Sequence, residues 1–375
     1  MSRAAGAIIN LSALRHNLKR ARELAPHARI MAVVKANAYG HGIVPAVRAL
    51  AGADAFAVAC LDEAVEIRHA GLAHPIVLLE GVFSALELDE AARIGCDVVV
   101  HDAHQLALME ASRLQHALTV WLKVDSGMHR LGFPLGEACT AWQRLSTARA
   151  VRGPLRLMTH LACADETANP RTQLQLEAFA AATAGISAER SIANSAGILA
   201  WPGSHADWLR PGILLYGVSP FAGRSGRDEG LLPVMTLCTT LIAVQQVQKG
   251  EAVGYGGGWV APEDMRIGIA AIGYGDGYPR HAPNGTPVLV NGIRAPLVGR
   301  VAMDMISVDL RGVPQARVHD PVLLWGAELP VEEIARAAGT IAYELLCGIT
   351  QRVKFSVVEE NQAPAALSSV HSIGR

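Results

Sequence analysis

The stretch RIMAVVKA, residues 29–36, is a short run of apolar and β-branched residues that ends on a lysine. Runs of this length and composition are typical of strands buried on both faces of a parallel sheet. Similar runs recur between Ala28 and Gly217, where they alternate with helical segments that often end at glycine. The later runs are DAFAVAC, PIVLLE, DVVVHD, LTVWLKVD, LRLMTHLA, SIANSAG and LRPGILLYG.

Eight such units within about 200 residues favour a (β/α)8 TIM barrel over an open sheet. We place this barrel at residues 11–232, with LSALRHNLKRAREL as the helix that leads into its first strand. The later sequence is β-rich, and only VEEIARAAG reads as a helix there. The sequence therefore predicts an α/β barrel followed by a mostly-β domain over residues 233–355. Residues 356–375 show no periodicity, so we expect a loose tail.

Composition excludes several classes of function. The 375-residue chain has a formal net charge of -1, which gives no electrostatic basis for binding nucleic acid or an anionic membrane. Its apolar runs are too short to span a membrane, and its first residues form no secretory segment. The six cysteines are scattered without a CxxC pair, as expected of reduced thiols. We therefore expect a cytoplasmic protein.

Reactive side chains cluster where the predicted strands end. In barrels of this type, reactive groups lie at the C-terminal ends of the strands. Strands one, five, six, seven and eight end in or near polar residues, namely Lys35, Tyr39, Lys123, Asp125, Arg130, His160, Asn194, Ser195 and Arg210. Each residue alone could have an ordinary structural role. Together they would form a rim around the C-terminal opening, or mouth, of the barrel.

Two short segments of this rim suggest a phosphate site. Ser195-Ala196-Gly197 and Gly212-Ile213 follow strands seven and eight, where barrels bind phosphate through backbone N–H groups. The alternative is that both segments are ordinary turns without a ligand. A phosphate site opposite Lys35 suggests pyridoxal 5'-phosphate, held by its phosphate and by an imine with the lysine. The alternative is a lysine that reaches solvent past the strand end.

Other cofactor motifs are not supported. The glycine-rich segments GYGGGW and GYGDGY fit neither the dinucleotide-binding pattern nor the P-loop. His101 and His104 in HDAH have no further ligand spacing, so we predict no metal site.

Several separated motifs together carry a family resemblance. They are AVVKANAYGHG, KVDSGMHRLGF, THLACADE, NSAG, RPGILLYG, VGYG, IGYGDGYPR and GRVAMDM. Over residues 5–353 the chain resembles the alanine racemases, fold-type III pyridoxal-phosphate enzymes. The resemblance implies a head-to-tail homodimer with shared active sites, alanine as substrate, and a strand at residues 5–10 that joins the β domain.

The resemblance also implies catalytic roles. Lys35 would bind the cofactor and act as the base on one face of the substrate, and Tyr255 of the partner subunit would act on the other. Arg210 would face the pyridine nitrogen. Arg130 would contact the cofactor's phenolic oxygen and the substrate carboxylate, and His160 backed by Arg210 would favour the phenolate of the tyrosine.

Further residues match binding positions of the family. Cofactor-binding residues would be Tyr39, Asn194, Ser195, Gly212, Ile213 and Tyr343. Lys123 matches a lysine that is often carbamylated and then orients Arg130, and the Met303 backbone would bind the substrate carboxylate. The access corridor would be lined by Asp165, Tyr274, Arg280, Arg300 and Tyr343. Ala302 and the ending QRVKF at residues 351–355 depart from the family pattern.

Rival functions remain open on the sequence. The nearest is a broad-specificity amino-acid racemase of the same fold, although those are typically exported. A decarboxylase of this fold would favour a carboxylate where Arg210 stands. A non-enzymatic pyridoxal-phosphate carrier would lack the second domain and Tyr255. A class I aldolase would use a Schiff-base lysine without cofactor.

Overall fold

The computed structural model describes residues 4–116 and 118–359. Its strands are β1 Gly6–Asn10, β2 Arg29–Val33, β3 Ala55–Val58, β4 Ile76–Leu78, β5 Cys96–Val100, β6 Leu118–Asp125, β7 Phe133–Pro134, β8 Val151–Met158, β9 Arg190–Ser191, β10 Trp208–Leu209, β11 Met235–Val247, β12 Ala252–Val253, β13 Trp259–Val260, β14 Met265–Ala270, β15 Pro287–Val290, β16 Ile293–Val298, β17 Ile306–Asp309, β18 Pro321–Trp325 and β19 Lys354–Val358. Its helices are α1 Leu11–Leu24, α2 Lys35–Gly40, α3 Ile43–Ala49, α4 Leu61–His69, α5 Ala85–Arg93, α6 Ala103–Ala111, α7 Ala138–Thr147, α8 Arg171–Ala182, α9 Ser195–Ala200, α10 Val331–Ala337 and α11 Ala342–Cys347.

The chain divides into two compact units. Among the described residues, those of 15–215 and 220–222 form the first unit, and 4–14, 216–219 and 223–359 form the second. The first unit thus ends near residue 215, whereas the sequence suggested 232. The difference arises because residues 216–234 no longer pair with the barrel strands, and Val234 N–H instead donates to the Tyr216 carbonyl.

A closed barrel of eight parallel strands forms the first unit, in the order β5-β4-β3-β2-β10-β9-β8-β6, and β5 pairs with β6 to close it. This confirms the predicted barrel. The apolar runs form strands because the barrel interior and the helices cover both faces, and Val98, Val99 and Val100 are fully buried. Polar N-caps start the helices that follow: Ser84 accepts from Glu87 N–H, and Asp102 accepts from Gln105 N–H.

The eighth strand is much shorter than the run LRPGILLYG suggested. Only Trp208–Leu209 pairs with its neighbours, and Ile213–Tyr216 forms a 3-10 turn. Pro211 accepts from the Val33 N–H through its carbonyl but has no N–H to donate, so the ladder does not continue past it. The turn that replaces the strand places Gly212 and Ile213 at the mouth of the barrel.

The second unit is a mostly antiparallel β domain, as predicted. Strands β14, β17, β16, β15, β18 and β11 are neighbours in that order, and β11 also pairs with β14. β1 pairs antiparallel with β11, and β19 pairs in parallel with β1. Residues 356–358 belong to β19, so the expectation of a loose tail was wrong for them, because their backbone groups pair with Ile8, Ile9 and Asn10. Residues 360–375 lie outside the described residues.

A second helix also interrupts this domain. α11 follows α10 closely, whereas the sequence indicated α10 alone. The run AYELLC is too short to show helical periodicity clearly. In residues 4–116 and 118–359, no helix combines the length and apolar content that a membrane crossing requires.

Candidate active site

The C-terminal mouth of the barrel contains a cavity of about 180 Å³. β6 and the loop after it supply one wall, and the end of β8 supplies the other. The lining residues are Lys123, Val124, Asp125, Met128, Arg130, Leu131, Thr159 and His160. Four of the residues predicted for the rim therefore line one cavity, namely Lys123, Asp125, Arg130 and His160.

Arg210 lies buried beside this cavity, with a side chain only 4% exposed. Its guanidinium donates to the Ser191 hydroxyl at 2.5 Å and to the carbonyls of Thr159 and Ile192. Nη2 also lies 3.4 Å from Nδ1 of His160. Burial lowers the pKa of Arg210 to about 9, so the group stays charged at neutral pH. Neutral oxygens thus hold this cation in place.

The electrostatics of the mouth are dominated by positive charge. Burial, and then the charges of Arg210, Arg130 and Lys35, lowers the pKa of Lys123 to about 8. Burial and the same cations, together with Lys123, hold the pKa of His160 well below its ordinary value. Lys35 is therefore close enough to act on both groups. His160 is neutral at physiological pH, and Lys123 is easily deprotonated.

Asp125 shapes the loop that carries Arg130. Its Oδ1 accepts from the N–H groups of Gly127, Met128 and His129 at 2.9–3.1 Å. Burial acts to raise the pKa of Asp125, but these three donors outweigh it and the pKa is lowered. The carboxylate therefore organises the backbone of the loop.

A set of small polar groups lies where the sequence suggested a phosphate site. The Ser195 hydroxyl accepts from the N–H groups of Gly212 and Leu214, at 2.9 and 3.3 Å. A Cβ at Gly212 would lie 2.5 Å from the Tyr39 hydroxyl oxygen, so a larger residue here would displace the Tyr39 side chain. Asn194 caps α9 by accepting from Gly197 N–H at 2.9 Å. Tyr39, Ser195 and Gly212 thus converge on one place.

The chain reverses direction after Lys35 through a left-handed turn. Ala36, Asn37, Ala38 and Tyr39 have φ of 52–53° and ψ of 40–52°, although none of them is glycine. Left-handed backbone costs L-residues about 1–2 kcal/mol each. The turn places Tyr39, which is 8% exposed, back over the barrel mouth.

The remaining predicted residues belong to other segments of the chain. Asp165 is exposed on the loop after β8. In the second unit, Tyr255 is 69% exposed on a turn, and Arg300 lies next to Gly256 of that turn. Tyr274 and Met303 belong to adjoining backbone, because Gly275 N–H donates to the Met303 carbonyl at 2.9 Å.

Two other predicted residues of the second unit complete the set. The Arg280 guanidinium lies 6.0 Å from the Tyr274 ring centre, a cation–π contact. Tyr343 lies on α11 and is half-buried. In the unusual ending QRVKF, Arg352 forms ion pairs with Asp276 and Asp304.

Side chains that could ligate a metal are dispersed across the described residues. Within the part of the chain that the structure describes, no three His, Cys, Asp or Glu residues group as metal ligands would. His101 of the HDAH segment has Nε2 at 3.1 Å from the Glu80 carbonyl. This contact gives the histidine a structural role.

Sequence reasoning missed several residues that shape the site. Ser191 and Thr159 hold Arg210, and Glu63 accepts from the Ala36 N–H at 2.6 Å. No local pattern identifies them, because each acts on a residue far away in the chain. Only the position of Thr159 at a strand end gave a usable signal.

Comparison with known proteins adds independent information. Residues 9–220 match the family model "Alanine racemase, N-terminal domain", and residues 234–357 match "Alanine racemase, C-terminal domain". A protein of Halorhodospira halophila named alanine racemase is 52% identical over 362 residues, which cover 96% of this chain and 99% of the relative. The protein named "Alanine racemase, biosynthetic" from Escherichia coli is 52% identical over 357 residues, covering 95% and 99%.

Solved structures agree with these relatives. The crystal structure of biosynthetic alanine racemase from Pseudomonas aeruginosa superimposes with a TM-score of 0.93 at 50% identity, covering 95% of this chain and all of the other. The structure of alanine racemase from E. faecalis gives a TM-score of 0.87 at 32% identity, covering 95% and 98%. Both similarities extend over both units.

Proposed function

This chain belongs to the alanine racemase family, and from that premise we propose that it interconverts L- and D-alanine with pyridoxal 5'-phosphate and two bases. The bases would be Lys35 and Tyr255 of the partner subunit. The observation that carries the proposal is the pairing of a cation-rich mouth with a compact cradle of small polar groups. A cofactor with a doubly charged phosphate and a reactive carbonyl fits both features.

The residues present fit this cofactor. The Tyr39 hydroxyl, the Ser195 hydroxyl and the backbone at Gly212 and Ile213 would hold the phosphate, and we assign Asn194 and Tyr343 to the same role. Glycine at position 212 lets the Tyr39 hydroxyl approach the backbone, which a Cβ would prevent. Lys35 would bind the carbonyl end. When bound, the cofactor would supply electron withdrawal from the Cα–H bond of alanine.

Arg210 would set the strength of that withdrawal. It faces the site as a charged guanidinium whose donors already have oxygen partners in Ser191, Thr159 and Ile192. A permanent cation opposite the pyridine nitrogen disfavours its protonation, so the ring accepts electrons weakly. Rapid return of the proton to Cα is then favoured over side reactions.

Racemisation requires a base on each face of the substrate. Lys35 would exchange the proton on one face. The exposure of Tyr255 supports a role in a second subunit, because its side chain is 69% exposed in the single chain. A head-to-tail homodimer would bring it to the partner's barrel.

His160 would help the tyrosine act as a base. Its Nδ1 faces an Arg210 donor at 3.4 Å, so Nδ1 accepts and Nε2 carries the proton in the neutral ring. An Nε2–H directed at the phenol oxygen stabilises phenolate, because donors to a charged form favour that form.

The substrate carboxylate would bind Arg130 and the Met303 N–H. We propose that Lys123 is carbamylated, since burial among cations lowers its pKa to about 8 and leaves an amine that reacts readily. The new negative charge would balance its cationic neighbours and orient Arg130. Asp165, Tyr274, Arg280, Arg300 and Tyr343 would line the access corridor.

The cellular setting is part of the proposal. All six cysteines are free thiols, which agrees with action in the cytoplasm. The D-alanine formed there would supply cell-wall synthesis, or the reaction would feed alanine breakdown.

The decisive experiment is Tyr255→Phe, assayed by proton exchange at Cα in heavy water with chiral separation of alanine. The wild type should incorporate deuterium and form both enantiomers. The variant lacks one base, so we expect inversion to fall by about 10²–10⁴-fold. Exchange without inversion should persist for the enantiomer that Lys35 deprotonates. Unchanged inversion would exclude Tyr255 as a base, and failure of the wild type to exchange alanine would exclude the function.

A further inference from the structure

The left-handed turn of Ala36, Asn37, Ala38 and Tyr39 is not a conformation that its own sequence favours. Left-handed backbone is routine only for glycine and occasional asparagine or aspartate, as single residues. Here four consecutive residues adopt it, and two of them are alanines. Contacts with side chains outside these four residues must therefore select this conformation.

Glu63 on α4 makes one such contact. Its Oε1 accepts from the Ala36 N–H at 2.6 Å, and its Oε2 accepts from the Ala59 N–H at 2.8 Å. Ala36 immediately follows Lys35, and Ala59 immediately follows β3. One carboxylate thus ties the start of the turn to the neighbouring strand. Hydrogen bonds to a charged acceptor are the stronger kind.

His41 makes the second contact, at the end of the turn. Its ring is 1% exposed, and Nδ1 lies 3.0 Å from the Ala38 carbonyl and 2.9 Å from the Tyr39 carbonyl. Both partners are acceptors, so Nδ1 must carry a proton. Burial lowers the pKa of His41 to about 4, which keeps the ring neutral at physiological pH. The imidazole therefore holds the carbonyls of the last two left-handed residues.

The two ends of the turn lie at Lys35 and Tyr39, which have separate proposed roles in binding the cofactor. Lys35 precedes the turn, and Tyr39 closes it with its hydroxyl beside Gly212. The geometry of the turn consequently determines the separation between the lysine amine and the phosphate cradle. A right-handed or extended segment would direct Tyr39 elsewhere.

We propose that Glu63 and His41 are positioning residues that hold the left-handed turn, and thereby match the spacing of Lys35 and Tyr39 to pyridoxal phosphate. This inference rests on the proposed function of those two residues. Neither Glu63 nor His41 contacts the cofactor in this role.

The test compares Glu63→Ala with Glu66→Ala, an exposed residue on the same helix. We measure amide hydrogen exchange of the cofactor-free protein, the Kd for pyridoxal phosphate, and the fraction of Lys35 trapped by borohydride, read by peptide mass spectrometry. Loss of charge-assisted bonds should weaken cofactor binding by about 10–100-fold and speed exchange only in residues 36–43. Glu66→Ala should match the wild type.

His41 offers a rescue test. Asparagine places an N–H donor close to the position of Nδ1, whereas leucine keeps bulk without a donor. His41→Leu should weaken pyridoxal-phosphate binding as Glu63→Ala does, and His41→Asn should recover most of the loss. Equal losses in both variants would contradict a positioning role for the donor.

The outcomes separate the inference from the function on which it rests. If wild-type Lys35 is not trapped at all, the proposed function fails and the positioning role falls with it. If wild-type Lys35 is trapped but Glu63→Ala binds the cofactor within twofold of wild type, only the positioning role is wrong. Exchange that speeds up uniformly across the protein would show a general structural role and overturn the inference.

Discussion

The N-terminal end of the barrel and its C-terminal mouth both enclose arginines, but they surround them differently. Toward the N-terminal end, Arg156 forms ion pairs with Asp97 at 3.3 Å and with Glu189 at 2.6 Å. Its guanidinium also lies 5.2 and 5.3 Å from the ring centres of Trp121 and Trp208. Carboxylates and aromatic faces therefore surround this charge.

The mouth has the opposite character. Within residues 4–116 and 118–359, no ion pair joins Lys35, Lys123, Arg130 or Arg210 to a carboxylate. Asp125 accepts from backbone N–H groups instead. Clustered like charges reduce stability but attract an anionic ligand. The comparison indicates that one end of the barrel is built for stability and the other for binding.

Lys35→Ala should have the largest effect, and it tests whether the charges at the mouth serve binding rather than stability. Removal of the proposed base and cofactor anchor should reduce Cα proton exchange by about 10⁴-fold. The melting temperature of the cofactor-free protein should not fall, because one of several crowded positive charges is gone. Calorimetry beside the exchange assay checks both statements. A large loss of stability would show that the two ends do not differ as described.

Arg156→Ala tests the other end. It leaves the buried Asp97 without its cation, whereas Glu189 keeps its ion pair with Arg29, and it should lower the free energy of unfolding by about 3–5 kcal/mol. The turnover of the folded fraction should stay within about twofold of wild type. Denaturant titration measures the first effect. Arg144→Ala is the control, because its ion pair with Glu110 is exposed to solvent and its loss should leave the free energy of unfolding nearly unchanged.

Asp97→Asn should have the smallest effect, which we expect only in the pH dependence of the free energy of unfolding. Burial raises the pKa of Asp97 to about 6, although Trp121 and Arg156 act to lower it. Between about pH 4 and 6 the folded state holds a proton that the unfolded state has lost, so this group makes stability fall as pH rises. The variant should flatten this slope, by about 1–3 kcal/mol across the range. If the free energy of unfolding depends on pH in the same way in the variant and the wild type, the pKa of Asp97 lies near its ordinary value.

The sequence was most informative where the physical signal is periodic. The helix LSALRHNLKRAREL occupies the predicted residues as α1, and the eight apolar runs all contribute to the barrel. Burial on two faces requires such runs, so the requirement is visible in the residues themselves. We also expected reactive groups at the C-terminal ends of the barrel strands. Lys123, His160 and Arg210 do lie near one another there, because their charges affect the pKa values of Lys123 and His160.

Other features depend on partners far away in the chain. Nothing in KANAY indicates left-handed backbone, since Ala36 is held by Glu63, 27 residues later. The eighth strand was too long in our prediction because the apolar residues 213–216 are buried in a 3-10 turn. β19 has exposed residues on both faces, so its strand character comes from pairing with β1.

The pairing of β1 between β11 and β19 also has a consequence for synthesis on the ribosome. Residues 15–215 include every strand of the barrel, so this unit can complete its sheet while the chain is still growing. β1 emerges first but finds its last partner only at residues 354–358. At 5–20 residues per second, this strand waits roughly 20–70 seconds with an unpaired edge. Chaperone dependence of folding should therefore originate in β1, which waits for the end of the second unit.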